Sequence, residues 1–224
     1  MTKHIKRIGI TMSTGRGNYT YDYLNRNYQD YFYQLDIDLV YLPNSTSTIK
    51  DILKQGGWDG FILSGGADIN EAFFDCTDDR LQLNYTRDYC ENQVLEFAIA
   101  KNIPLLGVCR GLQFINLYFG GSLVGELAEE HVATVHHINI VEEKFQDIIG
   151  NMHMSVNSYH NHGIKKSGLA KELRSFAISD DEVIEGLFHV RYNIIAIQWH
   201  PERNRIPSPA DNKIILNLFG QNNE

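Results

Sequence analysis

Short apolar runs of β type alternate with segments of helical period along the first half of the chain. Residues 7–12 form a first strand that ends in the glycine-rich turn Ser13-Thr14-Gly15-Arg16-Gly17. From Tyr21 the period turns helical, and Tyr21, Leu24, Tyr28, Tyr31, Phe32 and Leu35 fall on one face. Residues 37–42 make a second strand stopped by Pro43, 48–55 a short helix, and 58–63 a third strand that runs into Ser64-Gly65-Gly66. A long polar excursion over 67–86 follows, and loops of that length are usually functional or partly structured. Asp88 and Glu91 then have the spacing of a capping box, so the next helix is expected to start there, with Val94, Leu95, Ala98 and Ile99 as its apolar face. Residues 103–108 form a fourth, almost wholly apolar strand that leads into Cys109, and 112–119 a helix closed by Gly120-Gly121.

The second half is richer in strands, at 137–141, 174–178, 183–188 and 194–199, with a last helix over 210–219. Alternation of β and α followed by added antiparallel strands predicts an α/β fold with a mostly parallel central sheet. No internal repeat or linker interrupts the pattern, so residues 1–224 read as one domain.

Composition narrows the function classes. Apolar residues are 43% of the chain and charged ones 21%, enough for an ordinary core. The net charge of −8 comes from 20 basic and 28 acidic residues without blocks, which disfavours a nucleic-acid surface. No stretch approaches ~18 uninterrupted apolar residues, so no membrane partner is expected. The N-terminal segment has no leader pattern. The three cysteines, Cys76, Cys90 and Cys109, show no paired spacing and fit a reducing cytoplasm.

Chemistry concentrates at Gly107-Val108-Cys109-Arg110-Gly111, a G-x-C-x-G turn between a strand and a helix. This is the nucleophile-elbow arrangement with cysteine in place of serine. The helix that follows aims its N-terminal N–H groups at the sulfur and favours the thiolate, and the Arg110 N–H can meet a developing oxyanion. The plainer alternative is a structural cysteine between two packing glycines. Cys76 and Cys90 lack flanking glycines and read as structural. Gln198-Trp199-His200-Pro201-Glu202 supplies a base and its orienter. Strand alternation is expected to put His200 and Glu202 on one side, with Pro201 stiffening the link. His131, His136, His137, His160 and His162 cluster in sequence, but no spacing matches a recognised zinc motif, so no metal and no cofactor are expected.

Gly-Val-Cys-Arg-Gly-Leu-Gln at 107–113 with Asn116 and Gly120-Gly121, the 198–202 segment, Val156-Asn157-Ser158-Tyr159-His160, Ser64-Gly65-Gly66 with Asp68, and Arg87-Asp88 together resemble the class I glutamine amidotransferase superfamily. The closer likeness is to its γ-glutamyl hydrolase branch. The resemblance implies a flavodoxin-like three-layer α/β sandwich. It implies a catalytic triad of Cys109, His200 and Glu202, a γ-glutamyl thioester on Cys109, and an oxyanion hole from the N–H groups of Gly66 and Arg110. Gln113 would position the γ-glutamyl end, with Asn157, Ser158 and His160 beside the pocket. Two departures, Asn161-His162 and the individual 67–86 loop, fall on the leaving-group side.

The expected partner is a small γ-glutamyl substrate, with room left for a homodimer. Two leaving halves fit the branch: a cytidine diphosphate amidate from phosphoramidate-capsule synthesis, which this chain resembles somewhat more, and γ-aminobutyrate from polyamine breakdown. A glutaminase subunit serving a separate synthase, or a binding module without chemistry, are the alternatives. Arg16, between two glycines in a loop at the sheet edge that holds Cys109, is expected to lie in an anion-binding nest, with Tyr19 and Tyr21 free to stack on a base.

Overall fold

The computed structural model describes residues 5–66, 69, 82–125, 127 and 131–220. Cys76, Asp68 and most of the 67–86 loop lie outside them.

Five parallel strands form the middle of the molecule. They are β4 (Ile37–Leu42), β1 (Lys6–Thr11), β5 (Gly60–Leu63), β6 (Leu105–Val108) and β11 (Ile194–Ile197), adjacent in that order. The burial patterns of β5, β6 and β11 are uniform, with every residue enclosed on both faces. Such strands read as continuous apolar runs because helices cover both sides of a parallel sheet. The sheet continues beyond β11 through β10 (Ile184–His189), β9 (Leu173–Ser179), β7 (Val132–Ile140) and β8 (His153–Tyr159), all paired antiparallel. The expected α/β sheet with antiparallel additions is therefore present as one nine-stranded sheet.

Two apolar layers flank it. One holds Ile8, Ile10, Phe32, Val108, Phe145, Phe176, Trp199 and Phe219. The other holds Leu53, Phe61, Val94, Leu95, Leu112, Ile115 and Leu187. The helices that close them are α1 (Arg26–Tyr33), α2 (Ile49–Lys54), α3 (Gln82–Lys101), α4 (Arg110–Tyr118), α5 (Glu143–Ile149) and α6 (Pro209–Gly220). None of the helices among the described residues is long and apolar enough to cross a membrane.

Three local departures from the sequence pattern have clear causes. Tyr21 does not belong to the first helix. Ser13–Arg16 (β2) and Thr20–Tyr23 (β3) pair as an antiparallel hairpin, and α1 begins only after Asn25, whose side chain caps Asn27 N at 3.0 Å. The alternation of Thr20, Tyr21, Asp22 and Tyr23 is strand-like, and the helical spacing of Tyr21 and Leu24 to the later apolar positions masked it. The second departure is α3, which starts at Gln82, so Asp88 and Glu91 sit in its interior with no exposure rather than at a cap. The third is α5, which ends in left-handed Gly150 at φ 78° and places Phe145 face to face on Phe176, 3.9 Å between centroids.

Phe145 packs α5 onto the sheet through Phe176 and Phe188. Phe145→Ala should lower the unfolding free energy by about 3–5 kcal/mol in a denaturant titration, with the near-ultraviolet spectrum of the folded form retained.

Candidate active site

The elbow is a strained turn held in place from several sides. Cys109 follows β6 and caps α4 with φ 51° and ψ −100°, outside the regions that a side chain adopts easily. Its N–H donates to Ile197 O at 2.8 Å, which ties the turn to β11. The flanking glycines are required by space. A Cβ on Gly111 would lie 2.3 Å from Leu63 O, and one on Gly107 would lie 2.8 Å from the backbone of Gly111. Leu112 N and Gln113 N donate to Cys109 O, so the N–H groups of Arg110 and Gly111 are the first two of the helix.

His200 reaches the cysteine from the end of β11. Its Nδ1 meets Glu202 Oε1 at 2.6 Å, and both side chains are buried. The two do not share a strand face. β11 ends at Ile197, and Pro201–Arg203 form a single 3-10 turn that folds the carboxylate back to the ring. Burial disfavours the imidazolium, but Cys109, hydrogen-bonded to the ring, and then Glu202 outweigh it and push His200 up to about 9. The Nδ1 contact fixes the tautomer and leaves Nε2 for the sulfur. Gln198 Nε2 lies 3.5 Å from Cys109 Sγ on the same strand end.

The glycine loop after β5 closes the site from the side. A Cβ on Gly65 would stand 2.5 Å from His200 Cε1, so the loop backbone abuts the ring. Gly66 has φ 153°, and a Cβ there would meet Arg87 Nη1 at 2.3 Å. Arg87 grips the carbonyl side of this loop through Ser64 O at 2.7 Å and Gly65 O at 3.1 Å. Tyr28 takes the Gly65 N–H at 2.9 Å, and burial, then the nearby Glu202, push its phenol well above the ordinary range.

A charged network beneath the elbow is the part that sequence reasoning missed. Arg87 Nε contacts Glu91 Oε1 at 2.9 Å, and Thr11 Oγ1 contacts the same oxygen at 2.9 Å. The Arg110 guanidinium binds Glu91 Oε2 and Asp88 Oδ1. All four charged side chains are buried. Burial opposes ionisation of Glu91, yet Arg110 and Arg87 hold it below its usual range. Burial pushes Asp88 up to about 7 against the pull of Arg110. The Arg87–Glu91 spacing of four on the apolar face of α3 was the available signal.

The remaining sequence candidates are placed as follows. Gln113 donates to His162 O at 2.9 Å and lies 3.5 Å from Gln198 Oε1, so it borders the site through Gln198. Asn157 uses its amide to clamp His200, donating to His200 O at 2.7 Å and accepting from His200 N at 2.9 Å. Ser158 Oγ donates to His131 O at 2.7 Å, and His160 faces Glu185. All three side chains are buried. Cys90 is buried in α3, and burial pushes its thiol up to about 12, in keeping with a structural residue. The nest expected around Arg16 is not formed over Ser13–Arg16, because those backbone groups belong to the β2–β3 ladder. The Arg16 side chain lies outside the described residues. Tyr19 and Tyr21 are both exposed, and the Tyr21 ring covers Gly15.

Comparison with known proteins shows the family and the fold. The family model described as Peptidase C26 matches residues 7–202. The Lactococcus lactis subsp. lactis protein named "Putative glutamine amidotransferase-like protein YvdE" is 31% identical over 208 residues, covering 86% of each chain. The γ-glutamyl-CDP-amidate hydrolase of Campylobacter jejuni is 36% identical over 142 residues, which span 63% of this chain and 61% of that one. Among solved structures, one from Thermoplasma acidophilum described as a "putative gmp synthase subunit a protein" superposes with a TM-score of 0.69 at 24% identity. It covers 97% of this chain and 94% of the other.

Two measurements test the site. Glu91→Gln leaves Arg87 and Arg110 buried without their shared anion and should cost about 3–5 kcal/mol in denaturant unfolding. His200 titrates in the folded state near 9 and ordinarily at 6.5. Its raised value contributes stability fully present below 6.5 and lost as pH rises through about 9. In Cys109→Ala, an imidazole NMR titration should show that midpoint moved down, and the loss of stability across this window should shrink.

Proposed function

The chain belongs to the Peptidase C26 family, amidohydrolases of the class I glutamine amidotransferase type, and from that premise we propose that it hydrolyses the γ-glutamyl amide bond of a small-molecule conjugate through a thioester on Cys109. The observation that carries this reading is the buried Cys109–His200–Glu202 chain, in which the ring is raised to about 9 beside a strained sulfur. A thiolate paired with an imidazolium holds both the nucleophile and the acid that chemistry on an amide needs.

The thiolate attacks the γ-carbonyl carbon and forms the C–S bond. The oxyanion is held by the backbone N–H groups of Gly66 and Arg110, each contributing about 3 kcal/mol. His200 gives its Nε2 proton to the amide nitrogen as the C–N bond breaks and the amine leaves. The neutral ring then takes a proton from water, which adds to the thioester. Collapse breaks the C–S bond, releases glutamate and restores the ion pair. Glu202 holds the ring throughout, and Asn157 fixes the backbone that carries it.

For the leaving half, the favoured reading is a cytidine diphosphate amidate, which makes the reaction a γ-glutamyl-CDP-amidate hydrolysis. It is supported by the 36% identity to the Campylobacter hydrolase and by the exposed tyrosines of the β2–β3 hairpin, Tyr19 and Tyr21, which offer surfaces for a base. A γ-glutamyl-GABA hydrolase and a glutaminase subunit predict different products.

A glutamate-release screen of glutamine, γ-glutamyl-GABA and γ-glutamyl-CDP-amidate, without any added protein, separates them. The expected result is fastest release from the nucleotide conjugate and a loss of about a thousandfold or more in Cys109→Ala. Release from glutamine alone, and only with a synthase added, would make the chain a glutaminase subunit.

A further inference from the structure

A second cluster of ionisable side chains lies in the antiparallel half of the sheet. His131 precedes β7, His136 lies within it, His160 follows β8 and Glu185 lies in β10. His131, His160 and Glu185 are buried, at 1%, 5% and 0% exposure. Their ligand-type atoms all fall within 4.8 Å of one another. His131 Nδ1 and His160 Nε2 each stand 3.5 Å from Glu185 Oε1, and His136 Nε2 stands 3.6 Å from Oε2.

These separations are too long for charge-assisted hydrogen bonds, which run at about 2.7–2.9 Å. Among the buried side-chain atoms, His131 Nδ1, His136 Nε2, His160 Nε2 and both Glu185 oxygens lack a hydrogen-bond partner. Leaving so many converging polar atoms unsatisfied costs several kcal/mol. The distances instead resemble the edge of a tetrahedron around an ion with bonds of about 2.0–2.1 Å, which is about 3.4 Å long.

The outward nitrogens decide which tautomers are present. His131 Nε2 faces Asp181 Oδ1 at 3.2 Å, and His160 Nδ1 faces the His162 carbonyl at 3.0 Å. A carbonyl and a carboxylate accept, so those nitrogens carry the protons. In the neutral rings, the inward nitrogens then present lone pairs to an ionised carboxylate. That arrangement is repulsive unless a proton on the ring or a metal cation stands between them. A histidine that donates its second N–H to a carboxylate or backbone carbonyl is the usual setting of a metal ligand.

We propose that His131 Nδ1, His160 Nε2 and Glu185 Oε1 hold a divalent transition-metal ion of the zinc class, with His136 steadying the other Glu185 oxygen. Two imidazoles and a carboxylate suit zinc and its neighbours rather than magnesium or calcium. The ion's two charges meet those of Glu185 and Asp181. Enclosure makes the site structural. The ion joins the segment before β7 to the end of β8, and β8 carries the Asn157 clamp on His200. This proposal stands apart from the Cys109 chemistry.

The test uses the full-length Cys109→Ala protein, so that the active-site thiolate cannot take the ion. Metal content is measured as purified, and chelator-treated protein is titrated with Zn2+ and with Co2+. The expected result is one ion per chain, a raised melting temperature and the visible absorption of nitrogen- and oxygen-bound cobalt. Glu185→Gln and His160→Gln should weaken uptake by at least about a hundredfold, and Asp181→Asn, at the surface, by about 10–100-fold. Failure of the chelator-treated protein to bind either metal would overturn the assignment. So would binding undiminished in these variants, all checked for fold by circular dichroism.

Discussion

Two guanidinium groups and two carboxyl groups share a space beneath the elbow from which water is excluded, and the site depends on their balance. Glu91 bridges Arg87 and Arg110, and Asp88 takes the second arm of Arg110. Burying these charges is costly and is tolerable only because each faces its opposite. The arrangement yields position rather than net stability. Arg110 anchors the first turn of the helix after Cys109, and Arg87 holds the carbonyl side of the glycine loop. With those carbonyls engaged, the loop is fixed as a unit against His200.

That rigidity explains how Cys109 keeps a conformation that a free chain would avoid. A positive φ on a cysteine costs roughly 1–3 kcal/mol. The strain is offset by the β6–β11 ladder behind it, the packed α4 in front and the close approach of Leu63 over Gly111. The turn lifts the sulfur out of the sheet edge to meet His200. Contact with Cys109, and then with Glu202, raises the ring to about 9 although burial favours its neutral form.

The antiparallel half of the sheet supports the same histidine from the other side. Asn157 on β8 binds both backbone polar groups of His200, and Trp199 Nε1 donates to Asp211 on α6 at 2.9 Å. The segment before β7, the end of β8 and β10 converge on Glu185 a short distance along the same strands. A tie at that point limits the freedom of β8 and so of the clamp.

Local pattern determined much of this protein. The largely apolar runs at 58–63, 103–108 and 194–199 specified buried strands, because a parallel sheet covered by helices encloses its strands on both faces. The glycines on either side of Cys109 and the short His-Pro-Glu segment specified a tight strand-to-helix turn and a His200–Glu202 contact, since each signal lies within a few residues. Tertiary structure decided the rest. The capping-box spacing of Asp88 and Glu91 was a local signal overridden by burial, once Arg110 from 19 residues further on gave Glu91 a partner. The hairpin at Tyr21 was decided by pairing across the turn. The gathering of His131, His136 and His160 around Glu185 draws on three strands, and no spacing along the chain encodes it. Short-range periodicity fixes what most elements are, whereas pairing across turns, burial and long-range charge pairing fix their bounds and which side chains meet.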